Sequence, residues 1–412
     1  MNKKYMSLLV FCILFFAYQY GLRTAIPNVL NEDLQNYFGV GTSQIGFLVS
    51  LSCLAYTVMQ IPVGLITDRV SVKKIAISSF FLFSLGLVAF VSSSNFVCAS
   101  VVQVFLGVSS SFALVMIMKV ANDYCSREKV AFISGFAVSI GGIGPIVCNP
   151  LMARLAANFP WTNIVMYSGF IGVLVSLIGF FAIKEKDLIN ANVETNSGSI
   201  LQDIKTIIFD YRYIGISVFS MATWGACSSF CDAWGVSFMI HVHEISRQEA
   251  ASAIGFAYTG MLFGGPLSAY LSKIFNSFKK AMLSEAACFA VLLGLVGFVK
   301  LSTTLLCVIL FSIGALAMCQ FLAFPVSLSL GEKRLGATIT GIVNTIIMLG
   351  CTILIWAFGC ILDWSRGSNQ LYSAADYRCG IMASISSVLF AIIVLSLIKL
   401  PEYKDVSKKE AC

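Results

Sequence analysis

Twelve apolar runs, each about 20 residues long, dominate this chain. Their cores lie near 5–29, 44–66, 75–93, 96–120, 130–152, 163–183, 213–240, 248–271, 281–299, 303–328, 337–362 and 380–399. As a helix, a run of that length matches the hydrocarbon thickness of a bilayer, roughly 30 Å. Backbone polar groups in hydrocarbon must be satisfied within the protein, and long unbroken apolar runs do that as helices. Hydrophobic residues make up 58% of the chain and charged ones 11%, against roughly 25% charged in soluble domains. The expected fold class is all-α: a polytopic membrane protein with twelve transmembrane helices. The opening MNKKYMSLLVFCILFF imitates a signal peptide, but it lacks an A-x-A cleavage site and reads as an uncleaved first helix.

Charge sets the expected topology. Lys184 to Arg212 is the one long polar stretch. Its KEKD and NANVETNSGS cannot pack a core. Its ILQDIKTIIF places Ile200, Ile204, Ile207 and Ile208 on one face, as in a short helix lying on the membrane surface. The expected division is 1–183, a six-helix half; 184–212, a cytoplasmic linker; and 213–412, a second six-helix half with a short tail. With the N-terminus inside, cytoplasmic segments hold 20 Lys and Arg and outer segments 5, leaving Arg23 and Lys119 within spans. That bias puts both termini in the cytoplasm and the protein in the cytoplasmic (inner) membrane. The net charge of +7 is then a topology signal and needs no nucleic acid. The 14 cysteines include no C-x-x-C, and Cys227 and Cys231 sit one helical turn apart, so they read as packing residues. His241 and His243 are too few for a metal site. There is no G-x-x-x-x-G-K-[ST], H-E-x-x-H or G-x-S-x-G, so no ATP motor, enzyme or cofactor is expected.

Gln60 to Lys74 reads QIPVGLITDRVSVKK and contains G-x-x-x-D-R-x-x-x-K: Gly64, Asp68, Arg69 and Lys73. Gly64 suits a close approach of two helix backbones. Asp68 suits a helix N-terminus. Arg69, Lys73 and Lys74 hold the loop inside. The stretch closely resembles the signature loop between helices 2 and 3 of the major facilitator superfamily of membrane transporters. It departs at Ser71, where a second Gly is usual, and at Val72, where an Arg is usual. A plain basic loop between two helices is the alternative. Pro62 has a counterpart in Pro266 of FGGPLSAYLSK, about half the chain away, with Ser272 and Lys273 in the places of Asp68 and Arg69. The resemblance covers the whole chain and implies two pseudo-symmetric six-helix halves and transport by alternating access. It implies gating roles for Gly64, Asp68, Arg69 and Lys73, and Asp123 is expected near those basic residues. Gly144 and Pro145 in SIGGIGPIVCNP partially resemble a helix 5 motif associated with exporters, with Cys148-Asn149 in place of its distal Gly-Gly; close packing explains them as well. Gln103 precedes Gly107 where the family often has Arg, which puts proton coupling through that position in doubt.

Polar residues inside spans mark the candidate site. The third, sixth and twelfth runs lack Asn, Gln and charge apart from Asn163 and Lys399 at their ends, and the ninth has Glu285 alone. The others carry Gln19, Arg23, Asn28, Gln60, Gln103, Lys119, Asn149, Asp232, Gln320 and Asn344. Helices 3, 6, 9 and 12 are the outer ones in the superfamily, the same split. Arg23 shares a helix face with Gln19 and Tyr20. It either snorkels to the outer surface or meets a carboxylate or an anionic ligand. Its surroundings, FFAYQYGLRTAIP, also resemble a Tyr-x-x-Arg-x-x-x-Pro first helix found in a bacterial nutrient-transporter subgroup of intracellular bacteria, which implies an Arg facing the substrate path. Asp232 lies on the span that repeats the first. Arg23 and Asp232 are expected at similar depth, as a structural ion pair or as two poles of a ligand site. Candidate substrate-binding residues are Gln19, Tyr20, Arg23, Tyr56, Gln60, Asp232, Trp234, Gln320 and Asn344, with Trp224 and Tyr258 as further aromatic walls. Lys119 reads as a snorkelling residue, and Gly260 and Gly264 as packing.

The expected function is secondary active uptake of an amino acid, short peptide or organic anion. Export of a drug or siderophore is the alternative, and a membrane-embedded enzyme or channel the alternative of a different class. Expected partners are a small-molecule substrate, a coupling proton and the bilayer, for a chain that works as a monomer.

Overall fold

The fold comes from a computed structural model that describes residues 3–124, 127–183, 207, 209–331, 335–367 and 371–400. The side chains of 3–5, 61, 65, 68, 69, 122–124, 127–140, 336 and 337 lie outside that description. So do the expected surface helix of the linker and the C-terminal tail.

All described elements are helical. They are α1 (Lys3–Val29), α2 (Asn31–Phe38), α3 (Thr42–Arg69), α4 (Val72–Val91), α5 (Phe96–Ser110), α6 (Phe112–Tyr124), α7 (Arg127–Ala156) and α8 (Trp161–Ala182). Then follow α9 (Tyr211–Ser228), a π turn (Ser229–Trp234), α10 (Gly235–His243), α11 (Arg247–Ile274), α12 (Phe278–Phe298), α13 (Thr303–Ala317), a 3₁₀ turn (Met318–Leu322), α14 (Ala323–Leu330), α15 (Gly336–Arg366) and α16 (Ala374–Leu397). The twelve apolar runs map onto them in order. Run four is α5 with α6, run seven is α9 through α10, and run ten is α13 through α14. Among the described residues, 10 helical stretches are long and apolar enough to cross a membrane. The other two runs fall on α7 and on α11, whose first turn carries Arg247 and Glu249. The short helix α2 was not expected; Gly39 ends it with a left-handed backbone, φ 64°.

The chain divides into two compact units. One comprises Met1–Val40 and Leu51–Thr195, the other Gly41–Ser50 and Asn196–Cys412. Gly41–Ser50, at the start of α3, groups with the second unit and the rest of α3 with the first.

Within the first unit, α1 packs on α7 and α4 on α8. A Cβ on Gly144 would stand 1.9 Å from Ala17 O, and one on Gly21 2.8 Å from Gly144 O. Gly144 is therefore where α1 and α7 touch backbone to backbone. Within the second unit, the same device joins α11 to α13: a Cβ on Gly260 would stand 1.9 Å from Phe311 O and one on Gly314 1.8 Å from Ala257 O. Helices in lipid gain little from apolar burial, so close van der Waals approach at small residues carries the packing. Gly64 behaves otherwise. Among the described residues a Cβ there would meet nothing within 4 Å, so the expected close approach does not occur at that residue. The windows on α8 and α16, the sixth and twelfth runs, are only 33% buried, and Phe181, Leu174, Ile393 and Leu397 point outward as lipid-facing residues would.

Candidate functional site

In the first unit the polar residues collect on α1 and α3. Arg23 is half-buried on α1. Its guanidinium carbon lies 5.8 Å from the Tyr20 ring centre and 5.1 Å from that of Tyr56 on α3. Tyr20 in turn stacks on Phe16, with ring centres 6.1 Å apart and planes 10° from parallel. A guanidinium is planar and weakly hydrated, and two tyrosine rings flank it here. Gln19, one turn earlier, is 1% exposed, and its Oε1 has no hydrogen-bond partner among the described residues. Gln60 Nε2 on α3 is likewise buried without a described partner. Leaving such groups unmet costs about 1–3 kcal/mol each in a folded protein, so they are candidates for ligand contact.

In the second unit Asp232 stands in the π turn between α9 and α10. A π turn takes in one extra residue and breaks the regular ladder, a feature frequent at functional sites. Asp232 Oδ1 accepts the Tyr258 hydroxyl at 2.6 Å, and Oδ2 accepts the Ser228 hydroxyl. Tyr258 is fully buried on α11 and lies 2.9 Å from Cys231 O, a carbonyl in the same turn. Sequence reading took Tyr258 as an aromatic wall and missed its hydroxyl. No spacing links it to Asp232, because the two stand on different helices. Gln320 lies in the 3₁₀ turn, 2% exposed, with its Oε1 unpartnered among the described residues. Asn344 is half-buried on α15.

The remaining expected residues lie as follows. Trp234 is fully buried and committed to packing: its indole N–H donates to Ile355 O at 3.0 Å and its ring stacks on Phe358 at 5.7 Å. The Lys73 ammonium, on a side chain only 9% exposed, lies 5.5 Å from the Phe180 ring centre, joining α4 to α8. Pro145 is buried in α7, and its carbonyl accepts from Asn149 Nδ2 at 2.9 Å. The side chains of Asp68, Arg69 and Asp123 lie outside the described residues. Cys227 and Cys231 are buried, with sulfurs 4.0 Å apart. Among the described residues no three His, Cys, Asp or Glu gather as a metal site would need.

Multiple membrane-spanning helices that carry charged and amide side chains within the spans suit a membrane carrier of small polar solutes. The family model of the Major Facilitator Superfamily matches residues 9–355, and the chain belongs to that superfamily. It is a secondary transporter of small solutes and not an enzyme. The chain is 23% identical over 265 residues to the probable L-galactonate transporter of Escherichia coli, covering 60% of this chain and 58% of that one. It is 20% identical to the hexuronate transporter of Bacillus subtilis, covering 72% and 74%. The crystal structure of the nucleoside transporter NupG superposes with a TM-score of 0.78 over 97% of this chain and 100% of that one, at 14% identity. At that identity the likeness speaks to the fold alone.

Proposed function

We propose that the protein carries a small organic anion into the cell and that Arg23 binds the substrate's carboxylate. The observation that carries this reading is the guanidinium of Arg23 lying over Tyr20 and Tyr56, inside a membrane span. A guanidinium matches a carboxylate in a paired hydrogen-bond geometry. Gln19 Oε1 adds a buried acceptor for a substrate hydroxyl one turn away. Two relatives are named for hydroxylated carboxylic acids, which favours the organic-anion reading over amino acid or peptide. Gly144 is accounted for by helix contact, so the glycine-proline stretch gives export no separate support.

The experiment is a thermal-shift series on the purified protein with D-galacturonate, D-galactose and proline, followed by uptake into proteoliposomes with and without an inward proton gradient. A bound ligand raises apparent stability. Stabilisation by galacturonate, absent with galactose, supports the reading. Stabilisation by galactose or proline without galacturonate refutes it.

A further inference from the structure

Gln19 and Gln60 each lie one helical turn from the contact that Arg23 makes, on the two helices that make it. The Arg23 guanidinium carbon on α1 is 5.1 Å from the Tyr56 ring centre on α3. α1 and α3 carry consecutive spans, so the chain runs through them in opposite directions. Gln19 is four residues back along α1 from Arg23, and Gln60 is four residues on along α3 from Tyr56. Residues four apart share a helix face. In antiparallel helices these two steps also go the same way, each by about 6 Å. Gln19 and Gln60 therefore come to one level between the same two helices, a turn from Arg23 toward the N-terminal end of α1.

Each amide has a buried atom with no hydrogen-bond partner among the described residues. At Gln19 it is the acceptor Oε1, and at Gln60 it is the donor Nε2. The two are complementary, yet they do not bond to each other. A single group that satisfies both must donate one hydrogen bond and accept another. A carboxylate only accepts and an ammonium only donates; a hydroxyl does both.

We propose that Gln19 and Gln60 are a hydroxyl-reading pair that sets specificity. A substrate hydroxyl donates to Gln19 Oε1 and accepts from Gln60 Nε2. This rests on the reading of Arg23 as the carboxylate site and adds a length to the ligand. A hydroxyl about one helical turn, 6 Å, from the carboxylate is several carbon–carbon bonds away from it. The substrate class is then a sugar acid with hydroxyls far from its carboxylate, and not a short hydroxy acid such as lactate.

Titration calorimetry on the purified full-length protein with D-galacturonate, lactate and D-galactose tests it, in wild type, Gln19→Leu and Gln60→Leu. Leucine keeps the approximate volume and removes the polar atoms. Wild type should bind galacturonate about tenfold or more tighter than lactate, the worth of a hydroxyl paired twice. Each variant should lose that advantage, with lactate binding unchanged. The melting temperature of each ligand-free variant should equal or exceed that of wild type, because a buried amide atom without a partner contributes nothing to the empty protein. Gln19→Met and Gln60→Met repeat the measurement where a leucine variant folds poorly. A lower melting temperature in the leucine and methionine variants alike marks a structural amide and overturns the proposal. So does equal loss of both acids, or a wild type that binds lactate as tightly as galacturonate. Galacturonate binding unchanged in the variants overturns the pair and leaves the carboxylate role of Arg23 standing. Galactose bound by wild type and lost in the variants, with neither acid bound, supports the pair and removes the carboxylate reading. A wild type that binds none of the three overturns both.

Discussion

Arg23 and Gly144 show how differently single residues carry this structure. Arg23 acts through the geometry of its guanidinium, so a lysine is a poor substitute: its ammonium is a point charge that cannot pair two oxygens in one plane. Arg23→Lys should raise the KM for the anionic substrate about tenfold or more while the melting temperature stays close to wild type, measured by uptake kinetics and thermal unfolding. Gly144 acts by having no side chain. Gly144→Val places carbon where Ala17 O stands and should cost about 1–3 kcal/mol or more of stability, the usual range for overpacking, seen as a lower melting temperature. Arg23 was legible because charge in an apolar run stands out. The contact at Asp363 was not, because its carboxylate meets Thr42 and Ser43, more than 300 residues earlier. Gly64 belonged to the most recognisable motif, yet the contact expected from its missing side chain is absent among the described residues.

Helix boundaries were more legible than helix contacts. Ser246 and Glu249 form a reciprocal capping box at the start of α11, and Ser373 and Asp376 form one at α16. Both spacings are readable in sequence and pin the starts of those spans. At α9 the cap is Asp210, which accepts from Arg212 N at 2.9 Å and is bridged by the Arg212 guanidinium at 2.7 Å. The hydrogen bonds from Arg212 hold the Asp210 carboxyl below the usual carboxylate range. A carboxylate lowered by folding stabilises the folded state above its ordinary pKa, about 4, and the contribution fades as pH falls below that value. Asp210→Asn should therefore lower the melting temperature at pH 7, by the equivalent of about 1 kcal/mol or less for a partly exposed pair. The difference from wild type should shrink on acidification below pH 4; a difference independent of pH would remove Asp210's charge from the account. The π turn and the 3₁₀ turn left no trace in the sequence, since CSSFCDAWG and AMCQFLAFP read as ordinary apolar helix. The π turn carries a tertiary contact, Tyr258 on Asp232, which no local propensity encodes.

At the scale of the molecule, twelve runs were enough to expect a polytopic helical membrane protein, because bilayer thickness and the need to satisfy every backbone polar group leave few alternatives; the superfamily itself came from the resemblance at Gln60–Lys74. Sidedness rests on the lopsided distribution of Lys and Arg. A reporter fused after Ser197 should be active only in the cytoplasm, and a cysteine placed there should resist impermeant thiol reagents in intact cells; labelling from outside would invert the topology. The two halves of the fold are pseudo-symmetric, and the π turn lies in the seventh run. An extra residue in a turn rotates everything beyond it by about 100° relative to an uninterrupted helix. Past Ser229–Trp234, the seventh run is therefore one residue out of step with an uninterrupted helix. Asp232 stands inside that turn, so the extra residue, and not regular helical periodicity, sets the direction in which its carboxylate leaves the helix.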